Sequence, residues 1–156
     1  MSLILLLMSI SISHAQEETS DLTPYEIAQQ RIAEAETSGA TELDLSRLEL
    51  TELPPEIGNL TNLSSLLLFD NNLSSLPPAI GNLTNLTDLN LRGNNLSDLP
   101  PEIGNLTNLR FLFVGNNILS KLPPEVGNLT SLTELNLHDN ELTELPPEIG
   151  NLNSLT

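Results

Sequence analysis

The sequence contains no cysteine and no tryptophan, and it has only five basic residues against 21 acidic ones. Without cysteine the chain has no disulfide, no thiolate metal site and no cysteine nucleophile. The five cations are scattered, which argues against nucleic acid and against an anionic membrane surface, because phosphate binding needs clustered Lys and Arg. The formal net charge of −16 is most simply explained by solubility, and a basic partner is the alternative.

The N-terminus carries one apolar run, LILLLMSISI, from Leu3 to Ile12. It is too short to span a bilayer, which needs ~20 apolar residues. Ser13 and Ala15 place small residues at the −3 and −1 positions of a cleavage site, so residues 1–15 are predicted to be a signal peptide of a secreted or periplasmic protein. No Lys or Arg precedes the run, and a wrongly chosen start codon or an apolar tail of a cytoplasmic protein is the alternative.

Residues 16–22 are a polar, acidic linker, and residues 23–39 have the pattern of a short helix. Thr23 is a suitable N-cap, Pro24 fits the first helical position, and Glu26 completes a capping box. An apolar stripe of Ile27, Ala28, Ile32 and Ala35 is present at helical spacing, and Gly39 is a plausible stop. The stripe is expected to cover the exposed apolar end of residues 40–156.

Residues 40–156 are a regular array whose Pro-Pro pairs begin at Pro54, Pro77, Pro100, Pro123 and Pro146, in steps of 23 residues. Each unit contains the pattern L-x-x-L-x-L-x-x-N-x-L, as in Leu63, Leu66, Leu68, Asn71 and Leu73. The first copy is degenerate because Leu48 stands at the Asn position. The last unit lacks its next strand and has no polar cap, which indicates either a fragment of a longer protein or a frayed last coil.

The repeated asparagines are predicted to form a ladder that pairs buried backbone groups of neighbouring coils; they are Asn71, Asn94, Asn117 and Asn140. Leu48 cannot take part, so the first turn is expected to be less regular. The leucines at positions two apart, such as Leu66 and Leu68, point inward from a short strand. The Pro-Pro pairs block a regular helix on the opposite side, where extended or 3₁₀ structure is expected.

The segment LTELPPEIGNLTNLSSLLLFDNNLSSLPPAIGNLTNL resembles the typical 23-residue leucine-rich repeats, particularly bacterial ones. The segment IAQQRIAEAETSGATELDLSRLELTELP looks like the start of cyanobacterial-type repeat proteins, some of which continue into a Ras-like GTPase domain, as in the Roco family. The resemblance implies an α/β solenoid: a horseshoe arc with short parallel strands on its concave face, an extended or 3₁₀ convex side and an N-terminal capping helix. It also implies protein binding through the concave face.

Alternation along the strands assigns three rows of residues to the concave face. The first row is Glu42, Ser65, Asp88, Phe111 and Glu134. The middle row is Asp44, Leu67, Asn90, Phe113 and Asn136. The last row is Ser46, Phe69, Arg92, Gly115 and His138. All three phenylalanines of the chain fall in these rows, and Phe69 lies beside Arg92, where a cation–π contact is possible.

Exposed aromatic residues with an arginine are typical of binding hot spots. The residues predicted to contact a ligand are Leu67, Phe69, Asp88, Asn90, Arg92, Phe111, Phe113, Glu134, Asn136 and His138. The alternative is structural: Phe111 and Phe113 lean on one another and on an overlying segment of the same chain.

No constellation of residues typical of an enzyme is present. His138 and Asp139 are adjacent, but a metal site needs further ligands and a catalytic triad needs a placed nucleophile. The only lysine, Lys121, lies outside any P-loop pattern. The sequence therefore predicts a non-enzymatic module without cofactor or metal that binds a protein or peptide. The alternative is an N-terminal regulatory or scaffolding fragment of a larger signalling protein, for example one with a Ras-like GTPase domain.

Overall fold

The structure, a computed structural model, describes residues 22–156. The predicted signal peptide and all of the acidic linker except Leu22 lie outside the described residues.

Helix α1 spans Pro24–Ser38 and begins with the predicted capping box. Thr23 Oγ1 accepts a hydrogen bond from the Glu26 N–H at 3.3 Å, and Glu26 Oε2 accepts one from the Thr23 N–H at 2.8 Å. Hydrogen bonds from the Thr23 backbone, and then from its side chain, lower the pKa of the Glu26 carboxyl. The helix ends at Gly39, whose φ of 64° is the left-handed conformation that glycine adopts freely.

The buried side of α1 consists of Ala28, Ile32 and Ala35, which join the same apolar core as the repeats. The guanidinium of Arg31 donates a hydrogen bond from Nη1 to the Asp44 carbonyl at 3.0 Å, which ties the helix to the first coil. The predicted capping helix is thus confirmed, since it covers the first repeat with its apolar stripe.

Five short strands form one parallel sheet in the order β1-β2-β3-β4-β5. They are β1 Glu42–Asp44, β2 Ser65–Leu67, β3 Asp88–Asn90, β4 Phe111–Phe113 and β5 Glu134–Asn136. A 3₁₀ helix follows each strand on the opposite side of the coil, at Pro55–Asn59, Pro78–Asn82, Pro101–Asn105, Pro124–Asn128 and Pro147–Asn151. The predicted solenoid, with its parallel strands and 3₁₀ side, is confirmed.

One continuous core runs through the coils. Leucines of the strands meet Ile57, Ile80, Ile103 and Val126 of the 3₁₀ helices, and all four of these are fully buried. Each such side chain removes apolar surface from water, which contributes about 2 kcal/mol when a residue of this size is fully buried. The repeats therefore stabilise one another through their neighbours, as in other one-dimensional arrays.

The predicted asparagine ladder is present, and Asn94 shows its geometry. Its Oδ1 accepts the buried Leu73 N–H at 3.0 Å, and its Nδ2 donates to the carbonyls of Leu68 at 3.0 Å and Leu91 at 2.9 Å. Asn71 and Asn117 are bound in the same way at the neighbouring coils, and Asn140 repeats the pattern half-buried at the C-terminal end. Each asparagine thus joins its own coil to the preceding one.

The residue before each ladder position has a positive φ, and the residues concerned are Arg47, Asp70, Gly93, Asn116 and Asp139. In the first coil Glu49 has a positive φ as well, at 61°, which no equivalent residue in the later coils shares. With Leu48 in place of the asparagine, Asn71 Oδ1 accepts both the Leu48 and the Leu50 N–H at 3.0 Å. The prediction of a less regular first turn is confirmed.

The glycines of the P-P-x-I/V-G motif lie where consecutive coils approach most closely on the 3₁₀ side. A Cβ added to Gly104 would lie 2.6 Å from the Glu125 carbonyl oxygen and 2.7 Å from its Cβ. Gly150 occupies the same position in the last 3₁₀ helix, where an added Cβ meets no atom within 4 Å. Stacking of the coils therefore depends on glycine at this position.

We expect Asn94→Ala to lower the free energy of unfolding by about 3 kcal/mol, because the Leu73 N–H loses its acceptor while still buried. The carbonyls of Leu68 and Leu91 keep donors from Asn71 and Asn117. Urea denaturation followed by circular dichroism measures the change. Asn95→Ala, at the exposed neighbouring position, is the matched control. Equal stability of the two variants would contradict the structural role of the ladder.

We expect Gly104→Ala to lower the free energy of unfolding by about 1–3 kcal/mol, because the added methyl group must displace backbone of the next coil. Gly150→Ala introduces the same methyl group into open space and should leave the urea midpoint unchanged. A similar loss in both variants would show that helix propensity, and not stacking, determines the effect.

Candidate binding surface

The strand register confirms the first and middle concave rows, since Ser65 pairs with Asp88, Asp88 with Phe111, Leu67 with Asn90 and Asn90 with Phe113. The last row follows directly after the strands, where hydrogen bonds such as Gly93 N–H to Gly115 O at 3.0 Å continue the pairing. Side chains at the outward positions of β2, β3 and β4 are half-buried. The face is therefore a packed sheet surface on which neighbouring rows touch.

All three phenylalanines lie on this face and are half-buried. Phe111 and Phe113 are the outward residues of β4, and Phe69 follows β2. Leu67 is the outward residue of β2, two strands from Phe113 with Asn90 between them. The predicted cluster of apolar side chains is therefore brought together on the concave sheet.

Guanidinium groups cover two of the rings. Arg47 lies over Phe69, with its Cζ 5.0 Å from the ring centroid, and Arg110 lies over Phe111 at 5.5 Å. The sequence-based pairing of Phe69 with Arg92 is wrong, because Arg47 reaches across from the preceding turn and is held there by Asp70 at 3.3 Å. Arg47 and Arg110 lie outside the strand alternation, so periodicity gave no signal for either.

Arg92 is part of a hydrogen-bonded chain of side chains. In the amide orientation that satisfies both neighbours, Asn116 accepts from Arg92 Nε at 3.0 Å and donates to Asp139 Oδ2 at 2.9 Å. Asp139 Oδ2 also lies 3.1 Å from His138 Nδ1. The chain fixes Arg92 and His138 on either side of Gly115, whose missing side chain gives room to the ends of His138 and Asn136.

Two concavities adjoin each other on this face. One of about 270 Å³ is lined by Asn90, Arg92, Phe113, Gly115, Asn136 and His138. The other, of about 350 Å³, is lined by Arg47, Phe69, Asp70, Asn90 and Arg92. Asn90 and Arg92 line both, so the two concavities share these side chains as a common wall.

The first row of the concave face carries acidic side chains. Glu42, Asp88 and Glu134 line its outer edge, while Arg47, Arg92 and His138 lie at the other edge beside Asp70 and Asp139. The concave face is therefore acidic at the N-terminal ends of the strands and mixed in charge at their C-terminal ends. A bound segment would meet different charges on its two sides.

A depression of about 410 Å³ also lies away from this face, between the Pro-Pro segments of neighbouring coils at Leu99, Lys121 and Leu122. Its walls are the leucines and prolines that every repeat has, together with Asp98, Lys121 and Glu125. The depression results from the repeat itself and has no constellation of its own.

Residues 22–156 contain no cluster of three or more His, Asp or Glu side chains placed to hold a metal ion. Within the same residues, α1 is both too short and too polar to cross a membrane.

Two family models match the sequence: one described as a leucine-rich repeat region, over residues 80–156, and one described as a leucine-rich repeat, over residues 62–83. With its solenoid and asparagine ladder, the chain is a leucine-rich repeat protein. Such repeats are generally non-enzymatic scaffolds for protein interactions.

The solved structure of a leucine-rich repeat protein from Leptospira interrogans is 40% identical and has a TM-score of 0.66; the match covers 80% of this chain and 38% of that one. This chain thus spans well under half the length of that relative. A comparison with curated proteins finds no match. The matches identify leucine-rich repeats alone and give no support to the finer resemblance to Roco-type proteins.

We expect Asn116→Gly to release the Arg92 side chain, because it removes the amide that accepts from Nε while tolerating the φ of 54° at this position. The ¹⁵Nε–H order parameter of Arg92 should fall, with Asn95→Gly as the control in the preceding coil. An unchanged order parameter in Asn116→Gly would show that this hydrogen bond does not hold Arg92.

Proposed function

We propose that the concave face of this protein binds an extended segment of another protein or a peptide. The observation that carries the proposal is the position of the three phenylalanines, which all lie on this one face beside the double concavity. A repeat array needs no aromatic residue at these positions, since the equivalents in other coils include Ser, Asp, Glu and Asn. Aromatic side chains at the centre of a polar surface are typical anchors of protein interfaces.

The dimensions of the sheet support a short ligand. Five strands spaced by about 4.8 Å extend over about 19 Å, which is the length of roughly six residues of extended chain. Phe69 and Phe113 lie within the central three strands, and the arginines over Phe69 and Phe111 already cover part of each ring. A ligand crossing the strands would therefore contact the aromatic anchors in its middle and polar residues at its ends.

The structure gives little support to the alternative in which Phe111 and Phe113 lean on one another and on an overlying segment of the same chain. Phe111 and Phe113 are half-buried through their neighbours in the sheet and through Arg110, with no other described segment passing over the strands. The outer face of Phe113 is open to a ligand, whereas Arg110 covers part of Phe111. The acidic first row favours a ligand with a basic residue on that side.

The test is selection of peptides from a random display library on the immobilised protein, followed by affinity measurement with purified peptides. Phe113→Asp combined with Phe69→Ser should weaken the selected peptides at least about a hundredfold, because hot-spot truncations cost ~2 kcal/mol or more each. Ile118→Asp combined with Leu145→Ser is the matched control, since it removes two exposed apolar residues, 46% and 49% exposed, that lie outside the three rows.

Both double variants must retain the circular dichroism spectrum and the urea midpoint of the parent protein for the comparison to count. Unchanged affinity of the Phe113→Asp, Phe69→Ser variant for every selected peptide would overturn the concave face as the binding site. Loss of binding in the Ile118→Asp, Leu145→Ser variant alone would do the same.

A further inference from the structure

Three of the five backbone N–H groups of the last row are capped by a side chain of the middle row. Asn90 Oδ1 accepts the Arg92 N–H at 3.1 Å, Asn136 Oδ1 accepts the His138 N–H at 3.3 Å, and Asp44 Oδ1 accepts the Ser46 N–H at 2.8 Å. At Gly115 the middle-row residue is Phe113, which has no acceptor. Within residues 22–156 neither the Gly115 N–H nor the Phe69 N–H, which follows Leu67, donates a hydrogen bond.

Gly115 lies among polar side chains that line a concavity of the last row, here called the Gly115 notch and formed by Asn90, Arg92, Gly115, Asn136 and His138. A Cβ built on Gly115 would lie 2.8 Å from His138 Nε2 and 2.8 Å from Asn136 Oδ1, so these two side chains already lie against the buried Gly115 and leave no room for a larger residue there. The notch is part of the concavity of about 270 Å³, whose apolar wall is Phe113.

The groups around the notch that remain free are mainly donors. Arg92 uses Nε for Asn116, which leaves both terminal nitrogens of the guanidinium. The oxygens of Asn90 and Asn136 each hold a backbone N–H, and their amide nitrogens donate to no group in the described chain. His138 Nδ1 contacts Asp139.

We propose that the Gly115 notch binds a carboxylate of the ligand, either a chain terminus or the side chain of Asp or Glu. The proposal rests on the proposed peptide binding and names the chemistry of one subsite within it. A carboxylate is a planar acceptor that a guanidinium binds with two parallel hydrogen bonds, and charge-assisted bonds of this kind are the stronger ones. The free amide nitrogens of Asn90 and Asn136 supply further donors in the same concavity.

The charges around the notch favour a monoanionic ligand over a dianionic one. Arg92 is the one permanently charged cation of the notch, and Asp139, behind His138, offsets part of its field. In a chain of net charge −16, a dianionic phosphate has too little compensation here, whereas a monoanion paired with one arginine is balanced. The aromatic wall of Phe113 additionally suits a carboxylate that is carried next to an apolar side chain.

The probe is N-acetylphenylalanine, which has one free carboxylate and one aromatic ring. It is titrated to about 50 mM into ¹⁵N-labelled protein while the resonances of the Gly115 N–H and the Arg92 Nε–H are followed. N-acetylphenylalaninamide is the uncharged control, N-acetylaspartic acid amidated at its backbone carboxyl tests a side-chain carboxylate, and inorganic phosphate tests the dianion. We expect saturable shifts of both resonances with one or both carboxylates and none with the amide.

Two variants test the notch itself. Arg92→Gln should weaken carboxylate binding at least about tenfold, because a charge-assisted hydrogen bond is lost. Gly115→Ala should weaken it, because the new methyl group must displace the ends of His138 and Asn136, which line the notch. The cost to the fold is small because only ends of side chains must move. Arg110→Gln is the matched control, since that arginine lies on the same face over Phe111 and outside the notch.

Equal binding of the amide and the acid, tighter binding of phosphate than of either carboxylate, no saturable shift, or full binding by Arg92→Gln would each overturn the inference. The outcome is distinguishable from a failure of the proposed function. Selected peptides that depend on Phe69 and Phe113 but bind Arg92→Gln unchanged would overturn the carboxylate subsite alone. Selected peptides that ignore the two phenylalanines would overturn the concave binding site, whatever the small-molecule titration shows.

Discussion

Pairing of the backbone polar groups inside each turn is the constraint on which this fold depends. A coil of 23 residues that buries its turns must satisfy N–H and C=O groups that no strand or helix pairs. One asparagine per coil does so, with one oxygen for an N–H of the preceding coil and two amide hydrogens for carbonyls of both coils. The positive φ of the preceding residue and the register of the strands accompany this one side chain in every coil that has it. The leucine core stabilises the array, but the ladder determines how each coil is placed on the last.

The same constraint explains why only a few positions in each coil are free to vary. The inward leucines, the ladder asparagines and the glycines on the 3₁₀ side are all fixed by contact with a neighbouring coil. The outward residues of the strands are free to vary, and they do vary: the middle row contains Asp, Leu, Asn, Phe and Asn in turn. The middle row also determines which backbone N–H groups remain free, since Asp and Asn cap the next outward N–H and Phe113 does not. The residue types of the middle row thus determine both which side chains line the concave face and which backbone N–H groups stay unpaired.

Much of the fold could be predicted from the sequence because two periodicities coincide. The spacing of 23 residues fixes the stacking, and the alternation of side chains along a strand assigns the concave rows, which the register confirms. The irregular first turn was predictable from a single residue, Leu48. The surroundings of the aromatic residues were not. Arg47 covers Phe69 from a left-handed turn position, and Asn116 orients Arg92 from another, so neither contact can be read from alternation. Side-chain direction after a positive φ depends on the turn's geometry, which no period in the sequence encodes.

The close approach at Gly58, Gly81, Gly104 and Gly127 is nearly identical from coil to coil, with 2.6–2.8 Å between an added Cβ and the next carbonyl oxygen. Each of these coils therefore presents the same contact surface to the next coil. As far as the backbone is concerned, whole repeats are interchangeable. Duplication of one unit between the coils of Gly93 and Gly115 would recreate every stacking contact, yet would place Arg92 one strand spacing, about 4.8 Å, farther from His138. If repeats are gained or lost by recombination, a single duplication of this kind would separate Arg92 from His138 and leave the rest of the fold unchanged. If the concave face binds a ligand as proposed, its specificity depends on the order of the repeats as much as on their individual residues.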